Sequence, residues 1–187
     1  MSPRLRLPFS LPQLRRHLKR GGLVAYPTES SYGIGALPRH PKALKALLRL
    51  KKRPQHKGLI VIGGSLKQLA PLLAPLPPQD TAALNRIWPA ARTFVLPAAR
   101  VLPDLRGRRR QKLAVRVPDH PAARALCRAV RSPLVSTSCN RAGRRPCRSA
   151  AEARRLFGRQ LAIVGGRTGG RKKPSEITDW QQGIRLR

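Results

Sequence analysis

Carboxylates are scarce in this chain. Asp and Glu together account for 7 of its 187 residues, against 40 Lys and Arg. The seven are Glu29, Asp80, Asp104, Asp119, Glu152, Glu176 and Asp179. So small a set argues against catalysis by a pair of carboxylates and against a metal cage built from them. We therefore expect no metal site made by the protein itself.

The chain also has few cysteines and no long apolar run. Cys127, Cys139 and Cys147 show no C-x-x-C spacing, which argues against a zinc site and a disulfide framework. Sparse, unpaired thiols are typical of a reducing compartment. No apolar run approaches 18 residues, and the N-terminal segment lacks the apolar core of a signal peptide. These absences predict a cytoplasmic protein without a membrane attachment.

Positive charge is what the chain has in excess. Its formal net charge is +33, and a field of this sign attracts polyanions, so nucleic acid or a phosphorylated substrate is the expected class of partner. A second explanation is compositional drift, because Arg also occupies exposed helical positions in "AEARRLF". Composition alone leaves both explanations open.

Helical and strand patterns alternate along the chain. Leu11, Leu14 and Leu18 lie at helical spacing, and further helices are predicted around 44–53, 65–73, 78–88, 121–130 and 149–157. The stretches "LVAY", "LIVI", "TFVL", "LAVRV", "PLVST", "LAIV" and "GIRLR" read as strands. This alternation predicts an α/β sheet covered by helices, and the length is that of one domain.

Four polar segments follow predicted strands, where ligands bind in open α/β sheets. They are "PTESSYGIG", "STSCNRAG", Arg116 within "AVRVP", and "GGRKKPSEI" with Ser175. Hydroxyl groups beside glycines suit the recognition of phosphate or sugar, and an arginine suits a carboxylate. Ordinary turns, local side-chain capping and a solvated strand arginine are the plain alternatives. No Walker A or G-x-G-x-x-G motif occurs, so a nucleotide site would be of another design.

The stretch "KKRPQHKGLIVIGG" places Lys51, Lys52, Arg53 and Lys57 directly before a buried strand. Pro54 is expected to end the preceding helix there. Such a run is either a solvated face or the wall of an anion site.

Taken in order, six segments resemble the YrdC/TsaC family of threonylcarbamoyl-AMP synthases, of the short, single-domain bacterial type. They are "PTESSYGIG", "LKKRPQHKGLIV", "RIWPAARTFVLPA", "LAVRVPDHP", "PLVSTSCNRAG" and "TGGRKKPSEI". The similarity runs from about Gly21 to Arg187. Six ordered segments are far more specific than any one loop.

This resemblance implies one domain over residues 1–187, with a twisted, open, mixed sheet, flanking helices and a large basic concave surface. It implies a nucleotidyltransferase that makes threonylcarbamoyl-AMP and pyrophosphate from L-threonine, bicarbonate or CO2, and ATP, with Mg²⁺ carried by the ATP. The product would serve a tRNA-threonylcarbamoyl transferase complex that forms N6-threonylcarbamoyladenosine next to the anticodon.

The resemblance also assigns residues by motif. The ATP-binding set is Lys51, Arg53, Lys57, Ser138, Asn140 and Ser175. The set for threonine and the carbamate is Thr28, Tyr32, Arg116 and Ser136, with Arg116 at the threonine carboxylate.

Two other functions compete with the synthase. One is an RNA-binding or ribosome-maturation factor that keeps the fold without the chemistry, which the charge favours and the intact loops oppose. The other is an adenylating carbamoyltransferase domain for a different acceptor. Weak RNA binding is also compatible with the synthase, because arginines at 106, 108–110, 144 and 145 would extend a basic surface.

Overall fold

Eight short strands in the described part of the chain form one mixed sheet. The computed structural model describes residues 5–52, 58–107 and 111–187. The strands are β1 (Val24–Pro27), β2 (Tyr32–Gly35), β3 (Ile60–Ile62), β4 (Arg92–Pro97), β5 (Lys112–Arg116), β6 (Leu134–Ser138), β7 (Ala162–Ile163) and β8 (Glu176–Asp179). Their order across the sheet is β7-β1-β2-β6-β3-β5-β4-β8. Parallel and antiparallel neighbours both occur, so the predicted α/β class with an open, mixed sheet is confirmed.

Helices flank this sheet. They are α1 (Leu11–Lys19), α2 (Pro41–Lys51), α3 (Leu66–Leu69), α4 (Pro78–Ile87), α5 (Pro103–Arg106), α6 (Pro121–Ala129) and α7 (Ala150–Phe157), with 3₁₀ turns at Ala70–Leu72 and Gly158–Gln160. Within the described ranges, none of them has both the length and the apolarity that crossing a membrane requires.

Helix starts follow from local side-chain chemistry. Proline stands in the first turn of α1, α2, α4 and α6, where its missing N–H costs nothing. Ser10 and Gln13 form a reciprocal capping box at α1. At α7 only half of such a box is present. Ser149 accepts from the Glu152 N–H, but the Glu152 carboxylate accepts from the N–H of Arg148 instead.

The core lies on both faces of the sheet. On one face the strands pack against the apolar sides of α2, α3, α4 and α7. On the other they pack against α1 and α6. Strand β1 contributes to both, because Ala25 belongs to the first cluster and Val24 and Tyr26 to the second. Two covered faces explain why the strands read as continuous apolar runs.

Strand β6 joins the two halves of the sheet. Its residues 134–136 pair with β3, and its residues 137 and 138 pair with β2, antiparallel in both cases. Ser136, Thr137 and Ser138 therefore lie between β2 and β3, at the centre of the sheet rather than at an edge.

Strand β2 corrects the prediction that "PTESSYGIG" is a loop. Tyr32–Gly35 is a fully buried strand, because its two glycines take alternate positions and leave room for neighbours. A Cβ on Gly35 would lie 2.8 Å from the Tyr26 ring and 2.9 Å from the Val135 oxygen. The glycines thus allow close packing against the protein's own strands, and not only the approach of a ligand.

Three smaller predictions also change. Helix α2 ends at Lys51 and not at Pro54, because Lys52 already adopts a left-handed conformation with φ 45°. Residues 176–179 form a strand that the pattern did not reveal. The predicted strand "GIRLR" is not one of the eight strands, but it lies antiparallel to these residues. It forms an isolated bridge between Thr178 and Arg185, and backbone hydrogen bonds run from Asp179 to Ile184 and from Leu186 to Ile177.

Candidate functional site

A cavity of about 480 Å³ opens where β2 begins and where β5 and β6 end. Its walls carry two kinds of polar side chain. The hydroxyl groups come from Thr28, Ser30, Ser31, Tyr32, Ser136, Thr137, Ser138 and Ser175. The cations are Arg116, Arg145, Arg148, Lys172 and Arg187. Because no carboxylate occurs among these lining residues, the cavity is suited to an anionic ligand.

The turn between β1 and β2 forms one wall. The N–H and the hydroxyl of Thr28 both donate to the Ser31 oxygen, at 3.0 and 2.7 Å, which closes the turn. The hydroxyls of Ser30 and Ser31 lie in the same turn. This local closure holds the hydroxyl groups of the turn along the cavity wall.

The segment 165–175 packs over that turn. The Gly169 N–H donates to the Thr28 oxygen at 3.0 Å, and the Arg171 N–H to the Glu29 oxygen at 2.9 Å. The Tyr32 hydroxyl donates to the Gly166 oxygen at 2.7 Å. Burial raises the pKa of Tyr32 above its usual value, so this phenol stays protonated as a donor. The segment is thereby fixed as the second wall, which carries Lys172 and Ser175.

Arg116 lies in the floor of the cavity and is paired with a carboxylate of the protein. Its Nη1 lies 3.4 Å from Oε1 of Glu29, and both side chains are about nine-tenths buried. The same Oε1 accepts from the N–H of Asp119 at 2.9 Å. The strand arginine is therefore not a solvated residue.

Lys51 lies at the end of α2 behind the loop that follows β6. Its ammonium group donates to the backbone oxygens of Ser138, at 2.7 Å, and Asn140, at 2.6 Å. It also donates to the side-chain oxygen of Asn140, which accepts from the Ser138 hydroxyl at 2.8 Å as well. Lys51 is 6% exposed, and its ammonium group orders this loop through these hydrogen bonds.

The structure brings together most of the residues predicted from the sequence. Thr28, Tyr32, Arg116, Ser136, Ser138 and Ser175 line the cavity. Lys51 and Asn140 lie immediately behind Ser138 and are not part of its lining. Arg53 and Lys57 lie outside the described residues. The individual roles of all ten remain predictions.

Several lining residues were missed. Lys172 belongs to the predicted "GGRKKPSEI" segment, from which only Ser175 was selected. Arg145 was assigned to a general basic surface, and Arg148 follows it closely in the chain. No sequence pattern indicated Arg187. Its side chain lies at the cavity because its guanidinium donates to the Ser175 oxygen, at 3.2 and 3.3 Å, a contact that the sequence does not reveal.

Thiols, imidazoles and side-chain carboxylates are absent from the described residues that line the cavity. Among the described residues, no group of three or more His, Cys, Asp or Glu is placed to hold a metal ion. Cys139 lies just beyond β6, but it is buried, and burial raises the pKa of its thiol. The described lining therefore offers hydroxyl groups and cations for positioning and charge compensation.

Known proteins share both the sequence and the fold. A family model described as "Telomere recombination", covering Sua5, YciO and YrdC, matches residues 16–187. The chain is 60% identical over 176 residues to a threonylcarbamoyl-AMP synthase of Neisseria gonorrhoeae, which covers 94% of this chain and 93% of the relative.

Two solved structures extend the comparison. P. abyssi Sua5 complexed with L-threonine matches with a TM-score of 0.81 and 30% identity, over 91% of this chain and 51% of that protein. This chain thus spans about half the length of that relative. E. coli YciO matches with a TM-score of 0.80 and 24% identity, over 95% of this chain and 87% of that one, and shows the shared fold. The predicted family is confirmed, and the chain belongs to the Sua5/YciO/YrdC family.

Proposed function

We propose that this chain is a threonylcarbamoyl-AMP synthase, a nucleotidyltransferase that joins L-threonine, bicarbonate or CO2, and ATP. The observation that carries the proposal is the single cavity in which six of the ten motif-assigned residues meet. The synthase name of the Neisseria relative and the L-threonine bound to P. abyssi Sua5 support it. That name favours the enzyme over an RNA-binding factor without chemistry.

The two substrates occupy different parts of the cavity in this proposal. Threonine lies on the floor near Thr28, Tyr32 and Ser136, with its carboxylate at Arg116. ATP lies toward Ser138 and Ser175, with its phosphates near the outer cations. The order of Ser136 and Ser138 along β6 supports the division, because strand residues two apart are separated by about 6.5 Å along the strand.

The chemistry requires charge compensation more than a base. The threonine amine adds to CO2 and loses a proton, which gives a carbamate anion. A carbamate oxygen then attacks the α-phosphorus, the bond from that phosphorus to the bridging oxygen breaks, and pyrophosphate leaves with the electron pair. Arg145, Arg148 and Lys172, which line the cavity, offset the negative charge that develops on the departing pyrophosphate.

Magnesium enters with the substrate in this scheme. The lining residues offer hydroxyls and cations, which are poor partners for a resident Mg²⁺. The triphosphate therefore supplies the oxygen ligands, and the chain binds the Mg²⁺–ATP complex through the phosphates. We further propose that a downstream tRNA-threonylcarbamoyl transferase complex consumes the adenylate, and that the reaction is cytoplasmic.

The direct test is product formation. Purified protein with Mg²⁺–ATP, L-threonine and ¹⁴C-bicarbonate should form an acid-labile, labelled adenylate together with one pyrophosphate per product. Omission of threonine or bicarbonate is the control and should abolish pyrophosphate release. ATP turnover indifferent to both would refute the proposal, and turnover with another amine in place of threonine would instead support the carbamoyltransferase alternative.

A further inference from the structure

Glu29 is a carboxylate buried directly behind the cavity. Its backbone oxygen accepts from Arg171, and its side-chain Oε1 accepts from the N–H of Asp119. Glu29 thus connects the turn after β1, the loop after β5 and the segment 165–175. One backbone group, the N–H of Asp119, holds its carboxylate independently of Arg116.

Arg116 is bonded incompletely by this carboxylate. The contact from Nη1 to Oε1 is 3.4 Å, which is long for a charge-assisted hydrogen bond. Nε of Arg116 and Oε2 of Glu29 are the two buried side-chain atoms in the described ranges that have no hydrogen-bond partner. Buried polar atoms are rarely left in this state, and functional sites are one place where they occur.

The same geometry leaves part of the guanidinium available. It carries five N–H donors in a planar fork, and Glu29 faces only one end of it. Arg116 itself lines the cavity, whereas Glu29 lies behind the wall. A substrate carboxylate in the cavity would therefore contact a guanidinium that Glu29 holds from the opposite side.

We propose that Glu29 is the positioning residue that orients Arg116 toward the carboxylate of the amino-acid substrate. This inference rests on the proposed function, which makes an amino acid the substrate. Glu29 does not touch threonine; it acts through Arg116. It also supplies the counter-charge that a nine-tenths buried arginine needs in the free protein.

The test compares Glu29→Gln with a matched neighbour. Gln has the same shape and can still accept from the Asp119 N–H, but it lacks the charge that orients Arg116. The control is Asp119→Asn, because that side chain is 66% exposed, contacts Arg124 at 3.5 Å and leaves the backbone N–H to Glu29 intact. Each change removes one negative charge, and the two positions lie next to each other in the fold.

We expect Glu29→Gln to raise the KM for L-threonine by roughly tenfold to a hundredfold, the effect of losing a charged hydrogen-bond partner. The KM for ATP should stay within about twofold, and Asp119→Asn should change neither constant. Arg116→Lys should show the same selective rise. In the double variant the two effects should be far from additive, because both act on one contact.

Folding is controlled separately, because loss of one partner of a buried ion pair is destabilising. Circular dichroism gives the folded fraction of each variant, and calorimetric binding of L-threonine is scaled to it. Glu29→Asp, which keeps the charge at a shorter reach, is the second variant and should give an intermediate threonine affinity.

The outcomes are distinguishable. A wild-type protein with no threonine-dependent turnover would overturn the proposed function and this inference together. An active wild type with an unchanged threonine KM in a folded Glu29 variant would overturn this inference alone. An equal rise in both KM values, or failure of both Glu29 variants to fold, would make Glu29 a purely structural residue and would also overturn it.

Discussion

The ammonium group of Lys51 lies 2.6 Å from the backbone oxygen of Asn140 and donates to the side-chain oxygen of the same residue. This cation therefore organises the loop that carries Ser138. The family resemblance implies that Lys51 belongs to the ATP-binding set, and that assignment remains a prediction. We infer that part of its effect on ATP passes through this loop.

Replacement of Lys51 should reduce stability and ATP affinity together. Lys51→Met keeps the aliphatic stem but removes hydrogen bonds to buried oxygens, which should lower the free energy of unfolding by about 1.5–3 kcal/mol. Denaturant unfolding and ATP titration measure the two effects. Lys52→Ala is the control, because Lys52 is exposed and adopts a left-handed conformation just after the helix. Equal losses at both positions would indicate that bulk charge matters rather than the loop.

The three thiols should be nearly inert in the native protein. Burial raises the pKa of Cys127 to about 12 and also raises those of Cys139 and Cys147. Since only the thiolate reacts, native Cys127 should undergo thiol–disulfide exchange at pH 8 roughly a thousandfold more slowly than a free cysteine. Reaction with a chromogenic disulfide, with and without guanidinium chloride, measures this. Rapid modification of a native thiol, located by mass spectrometry, would contradict the burial of that residue.

Asp179 should contribute stability that is lost in acid. Burial alone would raise the pKa of Asp179, but hydrogen bonds from Lys112, at 2.8 and 3.0 Å, hold it below its usual value. A lowered pKa in the folded state means that the contribution is complete above the unfolded pKa of about 3.9 and disappears as the pH falls through the folded value. Asp179→Asn should therefore cost about 1 kcal/mol at pH 7 and little at pH 2.

The matched control for Asp179 lies on the same strand. Glu176 contacts Arg92 at 3.9 Å and Arg185 at 3.7 Å, and all three side chains are more than a third exposed. Glu176→Gln should change the free energy of unfolding by less than about 0.5 kcal/mol at either pH. A pH-independent loss in Asp179→Asn would show that shape, and not charge, is responsible.

RNA binding by the general basic surface should be weak and should depend on salt. Arg108, Arg109 and Arg110 lie outside the described residues, and their joint neutralisation should weaken RNA binding while adenylate formation persists. Binding through phosphates should largely disappear by roughly 200 mM salt, whereas synthesis inside the cavity should be screened less. Filter binding and pyrophosphate release report the two activities. Tight, selective tRNA binding at high salt would contradict this and favour an RNA-binding role.

Elements built from local patterns were predictable, and contacts between distant segments were not. The runs "LVAY", "LIVI" and "TFVL" fall within one or two residues of β1, β3 and β4, because burial of continuous apolar residues is a local signal. Strand β2 was missed, because two of its four residues are glycines, and without side chains they give no apolar pattern that would indicate a strand. Its identity depends on the Tyr26 ring and the Val135 oxygen, which only the folded chain brings near.

For the candidate site too, the residue types were predictable and their contacts were not. The hydroxyl-rich loops could be identified because they follow predicted strands. The bond from Lys51 to Ser138 spans 87 residues, and a run of cations in a sequence does not reveal which oxygens will accept from them. The pairing of Arg116 with Glu29 was hidden for the same reason. Sequence patterns indicate which groups are present, whereas their partners depend on the topology of the sheet.

The position of β6 between β2 and β3 has a thermodynamic consequence. Both proposed substrates would contact this one strand, threonine near Ser136 and ATP near Ser138. A ligand that restrains β6 reduces the conformational freedom that the second ligand must remove, which gives positive cooperativity without a change of shape. By reciprocity, each substrate should then raise the affinity for the other by the same factor.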